Sequence, residues 1–161
     1  GCVGLAVAAN VPECRVVLSD VSEEAIRACK QKIRRNDLSA RVTCVHTDAM
    51  QKPPAELWDF DVIACNPPYI PSGDIAGLDP SVRDYEPRMA LDGGEDGLNF
   101  YRAIAQNWKS ALCLGGTLLF EVGMGQDRDV MGLLTRNGYQ KVHSVPDTQG
   151  IQRVVCGTVE G

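Results

Sequence analysis

The sequence has no apolar run close to the roughly 20 residues that a membrane-spanning helix requires, and no signal-peptide pattern opens it. It is also poor in histidine, with only His46 and His143. Its seven cysteines are odd in number and scattered, and they form no C-x-x-C pair. These absences argue against membrane insertion, a disulfide framework and a zinc site. We expect a cytoplasmic protein without a bound metal, whose cysteines are reduced and mostly buried.

An excess of basic residues is also missing, since the formal net charge is −5. A domain that grips a long stretch of nucleic-acid backbone needs clustered Lys and Arg. The densest basic run, residues 27–35, falls on a predicted helix. We interpret it as a solvent-exposed helix face and not as a nucleic-acid-binding groove. The charge therefore argues against an extended nucleic-acid groove, although it says little about a substrate as small as one nucleotide.

The 161 residues have ordinary globular composition and the length of a single domain, so we predict one domain over 1–161. Strand and helix patterns alternate along the chain, which predicts a doubly wound α/β fold. The predicted strands are 15–20, 41–47, 60–65, 116–122, 139–145 and 152–159, and the predicted helices are 22–36, 98–112 and 127–137. The last two strands have no helix between them and should pair antiparallel in an otherwise mostly parallel sheet.

The tetrapeptide Asn66-Pro67-Pro68-Tyr69 follows the apolar run 60–65, where a buried strand would end and a ligand crevice would open. Asn66 offers a side-chain acceptor, the prolines hold nearby carbonyls rigidly, and Tyr69 adds a flat face with a hydroxyl. A Pro-Pro pair can also simply end a strand. The combination resembles the (Asn/Asp)-Pro-Pro-(Tyr/Phe) signature of S-adenosylmethionine-dependent methyltransferases that modify planar nitrogens. That resemblance implies that Asn66 and Pro67 hold the acceptor NH2 beside Tyr69.

The alternating pattern with its closing hairpin resembles the class I methyltransferase fold, which is Rossmann-like. In that pattern an apolar strand and an Asp-x-Gly-x-Gly-x-Gly loop come first, and Gly1 matches the last glycine of the loop. Residues 1–8 look like the end of such a loop entering a helix. We therefore expect the first strand and most of the glycine-rich loop to lie upstream, so that the chain is an N-terminally truncated catalytic domain.

Two acidic residues are candidates for binding the cofactor. Asp20 lies nineteen positions after Gly1, close to the spacing of about 20 at which a carboxylate reaches ribose hydroxyls. Its alternative role is a helix cap, which Ser22 already provides. Asp48 and Ala49 follow the strand 41–47, where the methyltransferase resemblance implies contact with adenine; a solvated turn is the alternative for Asp48. An NAD-type cofactor would use a similar acid, but the turn at Asn66 favours S-adenosylmethionine, and Asn66 itself completes the predicted cofactor set.

Residues 70–97 form a connection that is long for a compact domain unless it binds something. With the preceding turn, the segments 82–87, 90–98, 118–123 and 147–154 closely resemble the release factor glutamine methyltransferases of the HemK-like family over nearly the whole chain. That family methylates the glutamine amide of the Gly-Gly-Gln tip of peptide-chain release factors. The resemblance implies a substrate loop at 70–97 and a substrate site of Asn66, Pro67, Pro68, Tyr69, Glu86 and Glu95. Glu95 with Asp96 could instead cap the following helix.

The predicted partner is thus a release factor, which is the protein substrate. We expect the enzyme to be monomeric and not to bind a membrane. The alternative is an N-methyltransferase acting on an exocyclic amino group of adenine or guanine in DNA or RNA, which uses the same tetrapeptide on a flipped or single-stranded base. The acidic balance and the 86–97 segment weigh against it. A module that keeps the cofactor fold without catalysis is a further alternative, and intact Asn66 and Asp20 argue against it.

Overall fold

The structure is a computed structural model that describes all residues, Gly1–Gly161, and it divides into two compact units, 1–51 and 52–161. The strands form two sheets, one of two strands in the first unit and one of four in the second. No helix in the structure has both the length and the apolar character needed to cross a membrane. Each unit is described in turn.

The first unit is built from two helices and a pair of parallel strands. Its elements are α1 (Cys2–Asn10), β1 (Val16–Asp20), α2 (Glu23–Arg35) and β2 (Val42–His46). The strands run in register from Val16 opposite Val42 to Asp20 opposite His46. Both strands therefore end at the same edge of the sheet. The core consists of the buried side chains of Ala8, Leu18, Cys29, Ile33, Leu38 and Val42.

The predicted helix after Asp20 is confirmed, together with its cap. The Ser22 hydroxyl accepts a hydrogen bond from the backbone N–H of Ala25 over 3.2 Å, which satisfies one of the free donors at the start of α2. Glu23 and Glu24 occupy the first turn, where negative charge is favourable to the helix dipole. The apolar stripe faces the core because Ile26, Cys29 and Ile33 recur at helical spacing, and all are buried.

The second unit contains a four-stranded mixed sheet with helices packed against it. Its elements are β3 (Phe60–Cys65), α3 (Pro80–Arg83), α4 (Arg88–Leu91), α5 (Asn99–Asn107), β4 (Leu112–Glu121), α6 (Asp127–Arg136), β5 (Gln140–Pro146) and β6 (Gln152–Thr158). The strand order is β3-β4-β6-β5. The β3–β4 pair is parallel, whereas β4–β6 and β5–β6 are antiparallel, so the predicted C-terminal hairpin is confirmed.

The predicted boundary between the helix 98–112 and the strand 116–122 is wrong. Helix α5 ends at Asn107, a 3-10 turn spans Lys109–Ala111, and β4 already begins at Leu112. The extra residues are absorbed by an irregularity, since Phe60 faces Leu112 while Val62 faces Thr117. Gly115 permits it because its φ is +84°, in the left-handed region that side chains disfavour.

Residues 70–97 are more ordered than a plain loop, because they contain a 3-10 turn at Ile75–Gly77 and the short helices α3 and α4.

The burial of the cysteines differs from the expectation. All seven are free, but only Cys29 and Cys156 are buried, so the prediction that most are buried is wrong.

Candidate active site

The Asn66 to Tyr69 turn lies where β3 ends and lines a cavity of about 340 Å³. This volume is at the lower end of the roughly 300–1,000 Å³ typical of small-ligand sites. The lining residues are Asn66, Pro67, Tyr69, Ile70, Val82, Glu86, Ala90 and Leu91. Part of the wall thus comes from the turn and the adjoining Ile70, and the rest comes from Val82 in α3, Glu86 between the two helices and the last two residues of α4.

The turn presents two acceptors without partners inside the chain. Asn66 is exposed and its side-chain amide makes no hydrogen bond to another residue. Pro67 is buried, yet no backbone donor reaches its carbonyl oxygen. Neither proline has an N–H that could compete for these oxygens. The site therefore offers acceptors that are positioned by rigid backbone and are free for a ligand.

The backbone at Tyr69 and Ile70 is enclosed by the returning end of the loop. Ile70 donates its N–H to Leu91 over 3.0 Å, and its carbonyl accepts from Gly93 over 2.8 Å. A Cβ on Gly93 would lie 2.8 Å from the Tyr69 Cα, so only glycine leaves room for this approach. The tyrosine is consequently held in place by main-chain packing.

Asp92 ties the two ends of the loop together. Its Oδ1 accepts from the Ser72 hydroxyl over 2.6 Å and from the Gly94 N–H over 3.0 Å, and its Oδ2 accepts from Arg88 over 3.3 Å. The Ser72 hydroxyl and then the Gly94 amide lower the pKa of the Asp92 carboxyl. Because Asp92 also bridges to Ile70 in parallel β geometry, it holds the mouth of the cavity in shape.

The two predicted glutamates occupy different places. Glu86 lines the cavity and is its only charged residue, whereas Glu95 is exposed and is not among the lining residues. The neighbouring Asp96 accepts from the Leu98 N–H over 3.1 Å through its Oδ1, but no side chain caps α5. Asp96 also pairs with Arg102, which holds the pKa of its carboxyl at about 2. Pro68 belongs to the turn without lining the cavity.

Two titratable groups near the turn stay neutral. Burial raises the pKa of the Cys65 thiol, which directly precedes Asn66, to about 12, so it is not a thiolate nucleophile. Burial likewise raises the pKa of Tyr101, whose hydroxyl donates to the Glu121 carbonyl over 2.9 Å. The Tyr101 ring meets Phe120 edge-on with centroids 5.1 Å apart. These contacts support the end of β4, and Glu121 itself points to an exposed position.

In the first unit, Asp20 is the last residue of β1 and Asp48 follows the end of β2, so both lie at the same edge of the parallel pair. Asp20 Oδ1 accepts from the Ser22 N–H over 2.9 Å, and Asp48 Oδ1 accepts from the Met50 N–H over 2.8 Å. Each carboxylate is partly buried and keeps further acceptor capacity. Ala49 is likewise partly buried.

Gly1 begins α1 as its N-cap, and a Cβ there would lie 2.6 Å from Cys29 Sγ. The two carboxylates suit a nucleoside with hydroxyl and amino donors, so the residues fit S-adenosylmethionine. A different cavity of about 230 Å³, between α2 and β2, includes none of these residues. No group of three or more His, Cys, Asp or Glu residues could hold a metal ion.

The chain is similar in sequence and in fold to known methyltransferases. Residues 1–76 match the sequence model of the Methyltransferase small domain family. The release factor glutamine methyltransferase of Geobacter sulfurreducens is 41% identical over 159 residues, covering 99% of this chain and 55% of that protein. The one from Clostridium acetobutylicum is 37% identical, covering 100% of this chain and 56% of that protein. A methyltransferase crystal structure from Pyrococcus furiosus superposes with a TM-score of 0.67 at 17% identity, covering 98% of this chain and 68% of that one.

The chain has the Rossmann-like fold of class I S-adenosylmethionine-dependent methyltransferases, as its sequence predicted. Its sequence is similar over nearly its whole length to those of the release factor glutamine methyltransferases, so the resemblance predicted from the sequence is confirmed. The chain spans about half the length of these curated relatives.

Sequence reasoning missed several residues of the site. Val82, Ala90 and Leu91 complete the cavity wall, and Gln126 contacts the backbone of Tyr69. The only local signal for Gln126 was its place in a Gly-x-x-Gln pattern just after a predicted strand.

Proposed function

We propose that the protein transfers a methyl group from S-adenosylmethionine to the side-chain amide nitrogen of a protein glutamine, the Gly-Gly-Gln glutamine of a peptide-chain release factor. The observation that carries the proposal is the pair of unpartnered acceptors, the Asn66 side chain and the Pro67 carbonyl, at one cavity. An NH2 group has two N–H donors, so such a pair suits it. The names of the relatives support the choice of substrate.

S-adenosylmethionine, when bound, supplies a methyl group activated by a positively charged sulfur. Asp20 would accept hydrogen bonds from the ribose hydroxyls of the cofactor, and Asp48 with Ala49 would contact its adenine. Gly1 would belong to the glycine-rich loop that surrounds the remainder of the cofactor. Asn66 is also proposed to contact the cofactor. These roles rest on free carboxylate acceptors at one sheet edge.

An amide nitrogen is a poor nucleophile because its lone pair is delocalised into the carbonyl. Asn66 Oδ1 and the Pro67 carbonyl would each accept one N–H, which orients the nitrogen and stabilises the positive charge that develops on it. Tyr69 lines the cavity beside that group, while Pro68 keeps the turn rigid. Orienting reactants in this way can lower a barrier by roughly 7–11 kcal/mol.

The charge of the cavity favours a protein side chain over a nucleobase. Glu86 is negative, and no lining residue is basic. The nearby guanidinium groups are already paired, Arg83 with Asp84 over 2.8 Å and Arg88 with Asp92 over 3.3 Å. A nucleic acid would need free cations for its phosphates and stacking partners for a flipped base, and Tyr69 is the only aromatic lining residue.

The test is a transfer assay with the whole protein and labelled S-adenosylmethionine. Parallel reactions contain a release factor, its tip variant with Gln replaced by Ala, DNA, and RNA. We expect label in the release factor only. Equal label in the Ala variant would contradict the glutamine assignment, and label in DNA or RNA would favour methylation of a base amino group.

A further inference from the structure

The side-chain amide of Gln126 joins the acceptor turn to the end of β4. Its Nε2 donates to the Tyr69 carbonyl over 2.9 Å, and its Oε1 accepts from the Gly123 N–H over 3.0 Å. A carbonyl can only accept and a backbone N–H can only donate, so these partners define which way the amide points. One residue thus satisfies backbone groups from two distant parts of the chain.

Two glycines leave the space in which this amide lies. A Cβ on Gly97 would be 2.8 Å from Gln126 Nε2 and would overlap the Tyr69 carbonyl. A Cβ on Gly123 would be 2.7 Å from Gln126 Oε1 and 2.9 Å from the Tyr69 ring. Any side chain at either position would displace the amide or the tyrosine. The glycines are an independent indication that the contact is built into the fold.

The turn has few other ties of its own. Pro67 and Pro68 have no N–H, and the first hydrogen bonds to the returning loop come at Ile70. Gln126, in contrast, is anchored: its N–H donates to Gly123 over 3.1 Å, and its carbonyl accepts from Val130 over 3.0 Å at the start of α6. Because Gln126 is fixed at the start of α6, its amide can hold the Tyr69 carbonyl, and with it the end of the turn, in one position.

We infer that Gln126 is a positioning residue for methyl transfer, which acts by holding Tyr69 and, through it, the acceptors of Asn66 and Pro67. The inference rests on the proposed function for its kinetic consequence. Gln126 is not among the residues that line the cavity, so it acts on the substrate only through the turn.

The experiment compares Gln126→Met and Gln126→Glu in the whole protein, with Gln106→Met on the exposed face of α5 as the matched control. Methionine keeps the length but removes donor and acceptor. We expect kcat to fall roughly 10- to 100-fold, as displacements near 1 Å do, with the affinity for S-adenosylmethionine unchanged. Hydrogen exchange at the Ile70 amide, which adjoins the Tyr69 carbonyl and donates to Leu91, should become faster in Gln126→Met and not in Gln106→Met.

Gln126→Glu distinguishes hydrogen bonding from packing, because only a hydrogen-bonding role makes the activity of this variant depend on pH. Its carboxylate can accept from Gly123 but opposes the Tyr69 carbonyl, whereas the protonated carboxyl can donate to it. Activity relative to the unchanged protein should therefore recover as the pH falls from about 8 to about 5, because the adjacent carbonyl raises the carboxyl pKa. If Gln126→Met fails to fold, the inference is tested on Gln126→Glu alone, by its pH profile of activity and its hydrogen-exchange rates.

Unchanged kcat and unchanged exchange at the Ile70 amide would overturn the inference. So would equal, pH-independent losses in both variants, which would indicate packing alone. Failure of the proposed function has another signature: the unchanged protein would leave the release-factor glutamine unlabelled, while the exchange measurement would still report whether Gln126 holds Tyr69.

Discussion

The Ser72 hydroxyl donates to Asp92 Oδ1 over 2.6 Å, although the two residues are twenty positions apart. Ser72 stands near the start of the loop and Asp92 near its end, and Ile70 and Leu91 beside them both line the acceptor cavity. The shape of that cavity thus depends on a side-chain contact that closes the loop.

Asp92→Ala should open the cavity without affecting the cofactor residues. It removes the carboxylate that accepts from Ser72, Gly94 and Arg88, and hydrogen bonds to a charged group are stronger than those between neutral groups. We expect KM for the acceptor protein to rise about tenfold or more, measured by steady-state kinetics. Asp92→Asn, which keeps an acceptor oxygen, should recover part of the loss. Asp74→Ala, an exposed change in the same loop, is the control; an equal effect there would contradict the role of Asp92.

Asn66→Ala should abolish most transfer while leaving the fold intact, because the side chain is exposed and makes no contact that stabilises the turn. Removing one donor or acceptor that stabilises developing charge lowers kcat by roughly 10²–10³-fold. Single-turnover kinetics with the release factor measures this. Asn66→Asp retains an acceptor oxygen and should lose less. Undiminished turnover in Asn66→Ala would remove this residue from the mechanism.

Asp20→Ala should weaken S-adenosylmethionine binding by roughly 10- to 100-fold, since a charged acceptor for hydroxyl groups is lost. Calorimetric titration of the cofactor is the measurement. Glu13→Ala in the same unit, an exposed carboxylate away from the ends of the paired strands, is the control. If both variants bind the cofactor as the unchanged protein does, Asp20 acts only as the acceptor for the Ser22 N–H.

Gly97→Ala should destabilise the protein more than Gly125→Ala does. Both glycines have positive φ, +75° and +83°, so both changes carry the penalty of roughly 1–2 kcal/mol for a left-handed residue. Only at Gly97 does a Cβ also meet Tyr69 and Gln126, whereas nothing lies within 4 Å at Gly125. Overpacking adds about 1–3 kcal/mol. Urea denaturation of both variants gives the difference, and equal losses would argue against the tight contact.

The Asp96–Arg102 pair predicts an acid-dependent contribution to stability. The folded pKa of Asp96 is about 2, below the ordinary value of about 3.9 in the unfolded chain. A lowered folded pKa stabilises above the unfolded pKa, and this stabilisation is lost as the pH falls through the folded value. Because the pair is half-exposed, we expect less than about 1 kcal/mol. The difference in unfolding midpoint between the unchanged protein and Asp96→Asn should therefore shrink between about pH 5 and pH 2; a constant difference would contradict this.

Features that depend on neighbours in sequence were predicted well. The Ser22 cap, the helix it starts and the C-terminal hairpin all follow from local patterns and agree with the structure. The end of α5 was predicted too late because Leu112 is apolar and buried, which suits the last turn of a helix as well as the first residue of a strand. The spacing of apolar residues therefore could not show where the helix ends and β4 begins. Glu95 is exposed and does not line the cavity, so its contact with the substrate stays a prediction.

The sequence by itself determined the class of chemistry. Its evidence is visible in the sequence without a structure. It consists of the Asn66 to Tyr69 turn, the acids at the ends of the first two strands, and the motifs around them. The tertiary structure alone decided that Val82, Ala90 and Leu91 complete the acceptor cavity, that Asp92 closes its loop, and that Gln126 holds Tyr69. The two hydrogen bonds join residues 20 and 57 positions apart, and such partners meet only when the chain folds. Gly93 and Gly97 leave the space for the close packing at Tyr69.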